Sequence, residues 1–167
     1  MLNNDVLRSL RYTLKVNEFE LAHIVKMGGG DVTQAEINTY IKKEDEPGFI
    51  KCPQNVLAHF LNGLIYLKRG RDDARPALVA DLPTNNVVLK KLRVAFELKD
   101  TDFLDMLKAG GFNVSKSELS ALFRKEGHEN FKVCGDQYLR QVLKALALRE
   151  RGAIEETSTL WKPAPGR

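Results

Sequence analysis

Apolar positions along the chain fall on helical spacings and nowhere alternate for long. Val6, Leu7, Leu10 and Leu14 follow the i, i+3, i+4, i+7 rule of a buried helical stripe. Leu21 and Ile24 belong to a second stripe, Ile37, Tyr40 and Ile41 to a short third one, and Val56, Leu57, Phe60, Leu61, Leu64 and Ile65 to a long fourth. The punctuation agrees with four helices. Asn4 can N-cap the first helix with its side-chain oxygen. The second is expected from Glu18 to Met27, with acids at its start, and Gly28-Gly29 stop it because glycine accepts the left-handed conformation. Thr33 with Glu36 three residues on is a capping box for the third helix. The fourth is expected from near Pro53 to Lys68-Arg69-Gly70, with cations at its negative end and a glycine after it.

The whole pattern then occurs again. Asn3–Gly70 laid over Asn85–Gly152, at a constant offset of 82 and without a gap, gives 20 identities in 68 positions. Asn3-Asn4 meets Asn85-Asn86, Arg11 meets Arg93, Gly28 and Gly29 meet Gly110 and Gly111, Glu36 meets Glu118 and Cys52 meets Cys134. Apolar positions with different residues still pair, such as Leu14/Phe96, Leu21/Phe103 and Ile37/Leu119. One backbone is used twice. The expected fold is all-α: two tandem four-helix, helix-turn-helix-like repeats packed together. The expected divisions are 1–70 for the first repeat, 71–84 for a linker carrying Pro76 and Pro83, 85–152 for the second repeat and 153–167 for a proline- and glycine-containing tail in which Trp161 docks on the body.

Specific strings carry a family resemblance. NNDVLRSLRYTL at 3–14, KKEDEPGF at 42–49, Cys52 and FLNGLIYLKRG at 60–70 resemble the YehS-like bacterial proteins. The resemblance spans both repeats. It implies a domain of unknown function present twice per chain, in a bacterial cytosolic protein, and it brings no catalytic residues, substrate or cofactor. The second repeat departs from the first in its loop, where EGHENF at 126–131 replaces EDEPGF at 44–49.

Composition adds limits. At 43% hydrophobic and 29% charged, the chain reads as a globular protein. No apolar run reaches the length of a membrane span, so no membrane association is expected, and the N-terminus does not read as a secretory signal. Two cysteines are too few for a disulfide framework, which points to a reducing cytoplasmic setting. The net charge of +4 is a mild bias, and 11 Lys/Arg against 10 Asp/Glu up to Arg75, with 15 against 12 beyond it, show that neither half is strongly basic. An electrostatic case for nucleic acid therefore rests on where the charges sit.

Candidate chemistry is thin. Gly28-Gly29-Gly30 follows a helix rather than a strand and lacks the Lys-Ser/Thr of a phosphate loop, so it reads as a helix stop. Cys52 and Cys134 stand before the fourth helices, but no histidine recurs: His23, His59 and His128 fall on Asp105, Gln141 and Glu46. That argues against a Cys–His nucleophile or a zinc site in each repeat, and buried small residues are expected. Glu44-Asp45-Glu46 lacks the spacing of a calcium loop. No catalytic residue, metal site or cofactor is expected, and the protein is read as no enzyme. Arg11/Arg93 and Glu36/Glu118 are shared charges with structural readings only: an Arg–carboxylate fork between helices one and three, or a surface arginine beside a capping-box acid.

The richest functional expectation concerns the third helix. Gln34, Asn38, Lys42 and Lys43 in the first repeat, and Lys116, Ser120, Arg124 and Lys125 in the second, point away from the apolar stripe. Amides at the front could reach base edges and the cations could hold phosphates, of DNA or RNA. The long turn GGGDV and the low net charge count against this, and any exposed helix shows a polar face. The alternative is a protein–protein interaction module, in which Leu61, Leu64 and Ile65 pair the two repeats across a pseudo-twofold or pair two chains as a homodimer.

Overall fold

The computed structural model describes the backbone of residues 1–157 and side chains through Gly152. The expected docking of Trp161 lies outside the described residues. Eight helices and no strand are present among them: α1 (Asn3–Leu14), α2 (Glu18–Met27), α3 (Gln34–Tyr40), α4 (Gln54–Arg69), α5 (Asn85–Ala95), α6 (Asp100–Ala109), α7 (Lys116–Phe123) and α8 (Asp136–Thr157). The fold is all-α, with four helices per repeat.

Local signals place most boundaries. Thr33 and Ser115 close the expected capping boxes on Glu36 and Glu118. Asn17 and Glu20 form a further one at α2. At the end of α2 the left-handed residue is the second glycine, Gly29 (φ 94°), and Gly111 (φ 86°) repeats it after α6. Gly28 does something else. A Cβ there would lie 1.7 Å from the His59 carbonyl oxygen, so α2 and α4 touch through backbone, and Gly63 faces the Ile24 carbonyl in the same way at 1.8 Å. α4 ends at Arg69 as expected, with Gly70 at φ 84°. α8 does not end at Gly152. Gly70 is followed by RDDARP, whereas Gly152 is followed by AIEET, which contains helix formers and no proline.

The first-helix cap differs from expectation. Leu2 is the N-cap of α1 and Thr84 that of α5. Asn4 and Asn86 are instead buried inside the first turn. The Asn4 amide donates to the carbonyls of Tyr40 (3.0 Å) and Ile50 (2.9 Å), and its oxygen accepts from the Cys52 amide at 2.9 Å. Asn86 makes the same three bonds to Leu122, Lys132 and Cys134, at 2.9, 2.8 and 2.9 Å. Asn3 and Asn85 add a bond each to the carbonyls of Cys52 and Cys134. The Asn-Asn pair pins the loop between the third and fourth helices onto the first.

The expected Arg–Glu fork is not formed. Arg11 lies 3.7 Å from Glu18, and Arg93 donates to Asp100 at 2.9 Å. Glu18 and Asp100 are equivalent positions at the start of the second helix, so the arginine staples helix one to helix two. Glu36 and Glu118 are occupied by their caps.

The repeats interlock rather than sit side by side. α1 packs along α8 and α4 along α5, each fourth helix against the first helix of the other repeat, while the packing of α1 on α4 is slight. Leu61, Leu64 and Ile65 are buried in this arrangement. Across the seam the neighbour of α4 is α5 rather than α8. One continuous hydrophobic cluster runs from Val6 to Leu146. The Met1 amine meets Asp136 at 2.8 Å across the α1/α8 seam.

Candidate nucleic-acid interface

Each third helix has one buried and one free side. Ile37 and Tyr40 are buried in α3, Leu119 and Leu122 in α7. On the other side Gln34, Asn38, Lys116 and Ser120 are exposed. Lys42, Lys43, Arg124 and Lys125 do not continue the helix as expected. α3 ends at Tyr40 and α7 at Phe123, so these four cations stand in the loops that follow. The reason is tertiary. Tyr40 and Leu122 give their carbonyls to the buried asparagines. The Glu46 carboxylate then takes the Lys43 amide at 2.9 Å, and Arg124 is extended (ψ 158°). Lys42 is half-buried; Lys43, Arg124 and Lys125 are exposed.

The eight side chains make no hydrogen bond or ion pair among the described residues. The acids nearest in sequence differ between copies. Glu44, Asp45 and Glu46 follow Lys43, whereas only Glu126 and Glu129 lie beyond Lys125, and Lys132 stands where Ile50 does in the first repeat. The second copy is the more cationic surface. Its α7 is also braced, because Arg93 stacks over Phe123 at 4.7 Å and Phe123 meets Phe103 edge-on at 5.1 Å. The Ser115 backbone and hydroxyl hold the Glu118 carboxyl below its usual range.

The other candidates resolve into structure. Cys52 and Cys134 are free and buried. Burial pushes their thiols up to about 12 and about 11. His59 sits with Nδ1 2.9 Å from the Gly28 carbonyl oxygen, and its equivalent Gln141 donates to the Met106 carbonyl at 2.8 Å. Both positions therefore tie the fourth helix to the end of the second. No cluster of three His, Cys, Asp or Glu able to hold a metal occurs among the described residues. No helix among them is long and apolar enough to cross a membrane.

The buried Asn-Asn clamp, the glycine pair and the capping box recur at one offset in both halves, and a single family model, described as a protein of unknown function (DUF1456), matches residues 3–70 and again 85–152. The chain belongs to the DUF1456 family. It is also 50% identical over 151 residues to the uncharacterized protein YehS of Escherichia coli (strain K12), covering 90% of this chain and 97% of that one. No solved structure matches. In this DUF1456 chain the side chains missed from sequence are those of the clamp, which shapes the loops that carry the candidate cations. A signal existed: Asn4 precedes Leu7 by three residues, and so falls on the buried stripe.

Proposed function

We propose that the protein is a non-enzymatic regulatory protein of the bacterial cytosol that binds nucleic acid through α3, α7 and the loops after them. α2 and α3, with the turn between them, serve as a helix-turn-helix-like unit held on α4. The observation that carries this reading is that Gln34, Asn38, Lys43, Lys116, Ser120, Arg124 and Lys125 are exposed, with no intramolecular partner among the described residues. Side chains at these positions neither stabilise the fold nor fill the core. Cations in loops can follow phosphates, while short polar residues at a helix front can reach a groove. The greater cationic character of the second copy makes α7 the stronger anchor.

Affinity for random duplex and for single strands, measured at two salt concentrations, tests this. Log K should fall with log salt, and Arg124→Ala with Lys125→Ala should make the slope shallower by about 0.9 for each duplex phosphate that is no longer neutralised. The matching change at Lys42 and Lys43 should alter it less. Absence of binding at low salt removes the reading.

A second reading, a protein-interaction module, is favoured by a separate observation. No described residue crosses the cleft between α1 and α8, while the linker is hydrogen-bonded across its pseudo-symmetric mate between α4 and α5.

A further inference from the structure

The linker is bound to the body of the protein as an extended segment. The Asn62 amide donates to the Val79 carbonyl at 3.0 Å and to that of Leu78 at 3.4 Å. The Leu78 amide donates to the Tyr66 hydroxyl at 2.8 Å. Farther along, Lys91 of α5 donates to the Asn62 oxygen at 2.7 Å and lies 3.7 Å from the Asp81 carboxylate. The α4/α5 cleft thus reads main-chain groups first and an acid three residues after Leu78.

The offset of 82 carries Asn62, Tyr66, Lys91 and Val94 onto Lys144, Leu148, Ser9 and Tyr12, across the α1/α8 cleft. The lysine and the small polar partner are both kept, with their helices exchanged. Lys144 and Ser9 line this cleft, of about 370 Å³, together with Arg8 and Arg140. Asp5, the cleft's acid, is held by Arg8 at 2.9 Å. At the end where Tyr66 is covered by the linker in the other cleft, Leu148 is 72% exposed and Tyr12 58% exposed. Arg151 stacks over the Tyr12 ring at 4.5 Å and braces it. Exposed apolar side chains at one end, and at the other Lys144 and Arg140, which form no ion pair among the described residues, beside the Arg8–Asp5 pair, form a surface with two chemistries in a fixed order.

We propose that the α1/α8 cleft binds an extended peptide of a partner protein, with an apolar residue seated on Leu148 and Tyr12 and acidic residues after it running towards Lys144, Arg140 and Arg8. The linker supplies the direction: apolar Leu78 at the Tyr66 end, acidic Asp81 beyond it. Charge complementarity supplies the acids: Lys144 keeps the lysine that meets Asp81 in the other cleft, and Arg140 adds a cation where that cleft has the buried Ala58. The third helices take no part, so this inference rests on the interaction-module reading and is independent of the nucleic-acid one.

The probe is a fluorescently labelled peptide of residues 76–84 carrying L82E and T84E, titrated into the full chain with anisotropy as the readout. Saturable binding is expected. Lys144→Glu with Arg140→Glu should weaken it at least tenfold, and Leu148→Asp should weaken it comparably. All three side chains are exposed, and an unchanged melting temperature checks that each variant folds. Arg124→Ala with Lys125→Ala should leave peptide affinity unchanged, which separates the two proposals. The proposal is overturned by absence of saturation up to millimolar peptide, by equal affinity for a peptide with lysines at the acidic positions, or by displacement of the peptide by random duplex. Binding that appears only after removal of residues 158–167 would also overturn it, since the occupant would then be the chain's own end.

Discussion

Replacing Asn4 by alanine leaves two carbonyls and one amide without partners in a buried setting. Each unsatisfied group costs about 1–3 kcal/mol, less what relaxation recovers, so Asn4→Ala should destabilise by about 3 kcal/mol and Asn86→Ala by a similar amount. Asn3→Ala, which removes one part-buried bond, should cost about 1 kcal/mol. Urea midpoints of the three variants check the ranking, and equal midpoints for Asn3→Ala and Asn4→Ala would contradict the clamp. The asparagines show what a sequence hides at this scale. Their identity in both repeats is visible, and so is their place on the apolar stripe. Their partners lie 36 to 48 residues away, and nothing local names a backbone carbonyl as an acceptor. The cysteines were legible as buried residues because no histidine accompanied them. Their burial has a consequence in pH. Both folded thiols titrate above the ordinary value of 9.0, and Tyr40 is also raised by its burial. A group raised on folding contributes its full stability below its unfolded value and loses it as pH rises towards the folded one. Stability should therefore fall between about pH 9 and 12. An aromatic disulfide reagent at pH 8 should label both thiols in urea and neither in the native protein.

At the scale of elements, the starts of the second, third and fourth helices were readable, whereas the caps of the first helices and several ends were not. Caps are local: Thr33 and Glu36, or Ser115 and Glu118, are three residues apart and satisfy each other. The ends of α3 and α7 are set by Asn4 and Asn86 on a distant helix, which is why Lys42, Lys43, Arg124 and Lys125 stand in loops and not in the expected helix. That shift changes the candidate interface from a helical face to a short helix followed by a cationic loop. The glycine pairs were legible as helix stops, but the two members act differently: the second supplies the turn, and the first, in the first repeat, admits the backbone of α4. Gly63 completes that close approach from the other side. Helix propensity alone says that Gly63→Ala should stabilise an interior helical position by about 1 kcal/mol. Packing says the reverse, because the new carbon would sit 1.8 Å from the Ile24 carbonyl oxygen and α2 must move away. Overpacking of this kind costs about 1–3 kcal/mol or more, so a net loss of about 2 kcal/mol is expected. Gly110→Ala should be milder, since its new carbon meets the flexible Gln141 side chain, and Ala145 already stands where the first repeat has Gly63. Thermal unfolding of the two variants decides the sign, and a Gly63→Ala protein more stable than the parent would show that α2 yields freely.

At the scale of the molecule, duplication was plain in the sequence, yet how the copies meet was not. The apolar stripes of α1 and α4 look alike whether the two helices face each other or face the other repeat. The structure takes the second course, α1 on α8 and α4 on α5, so each repeat lends its first and fourth helices to a seam that neither owns. Leu7, Leu10, Leu61 and Leu64, with Leu89, Leu92, Leu143 and Leu146, are all at most 2% exposed in the joint core. Cutting the chain in the linker would uncover much of this surface at once, at about 25 cal/mol for each Å² of apolar area returned to water. A stretch of about 70 residues is also near the size at which a single core barely holds. Residues 1–70 and 85–152 expressed separately should therefore not exist as folded monomers. Each should be largely unfolded by circular dichroism, or form a homodimer in which the first helix of one copy packs on the fourth helix of its mate. The two halves mixed should recover the helicity of the intact chain, with a concentration-dependent melting temperature because the seam becomes intermolecular. Sedimentation equilibrium separates these outcomes, and a stably folded monomer of either half would refute the shared core. The same experiment bears on function. The first-helix and fourth-helix faces that flank the α1/α8 cleft come from different repeats, so a half that folds alone could not present it, whereas the mixed halves should recover peptide binding along with their helicity.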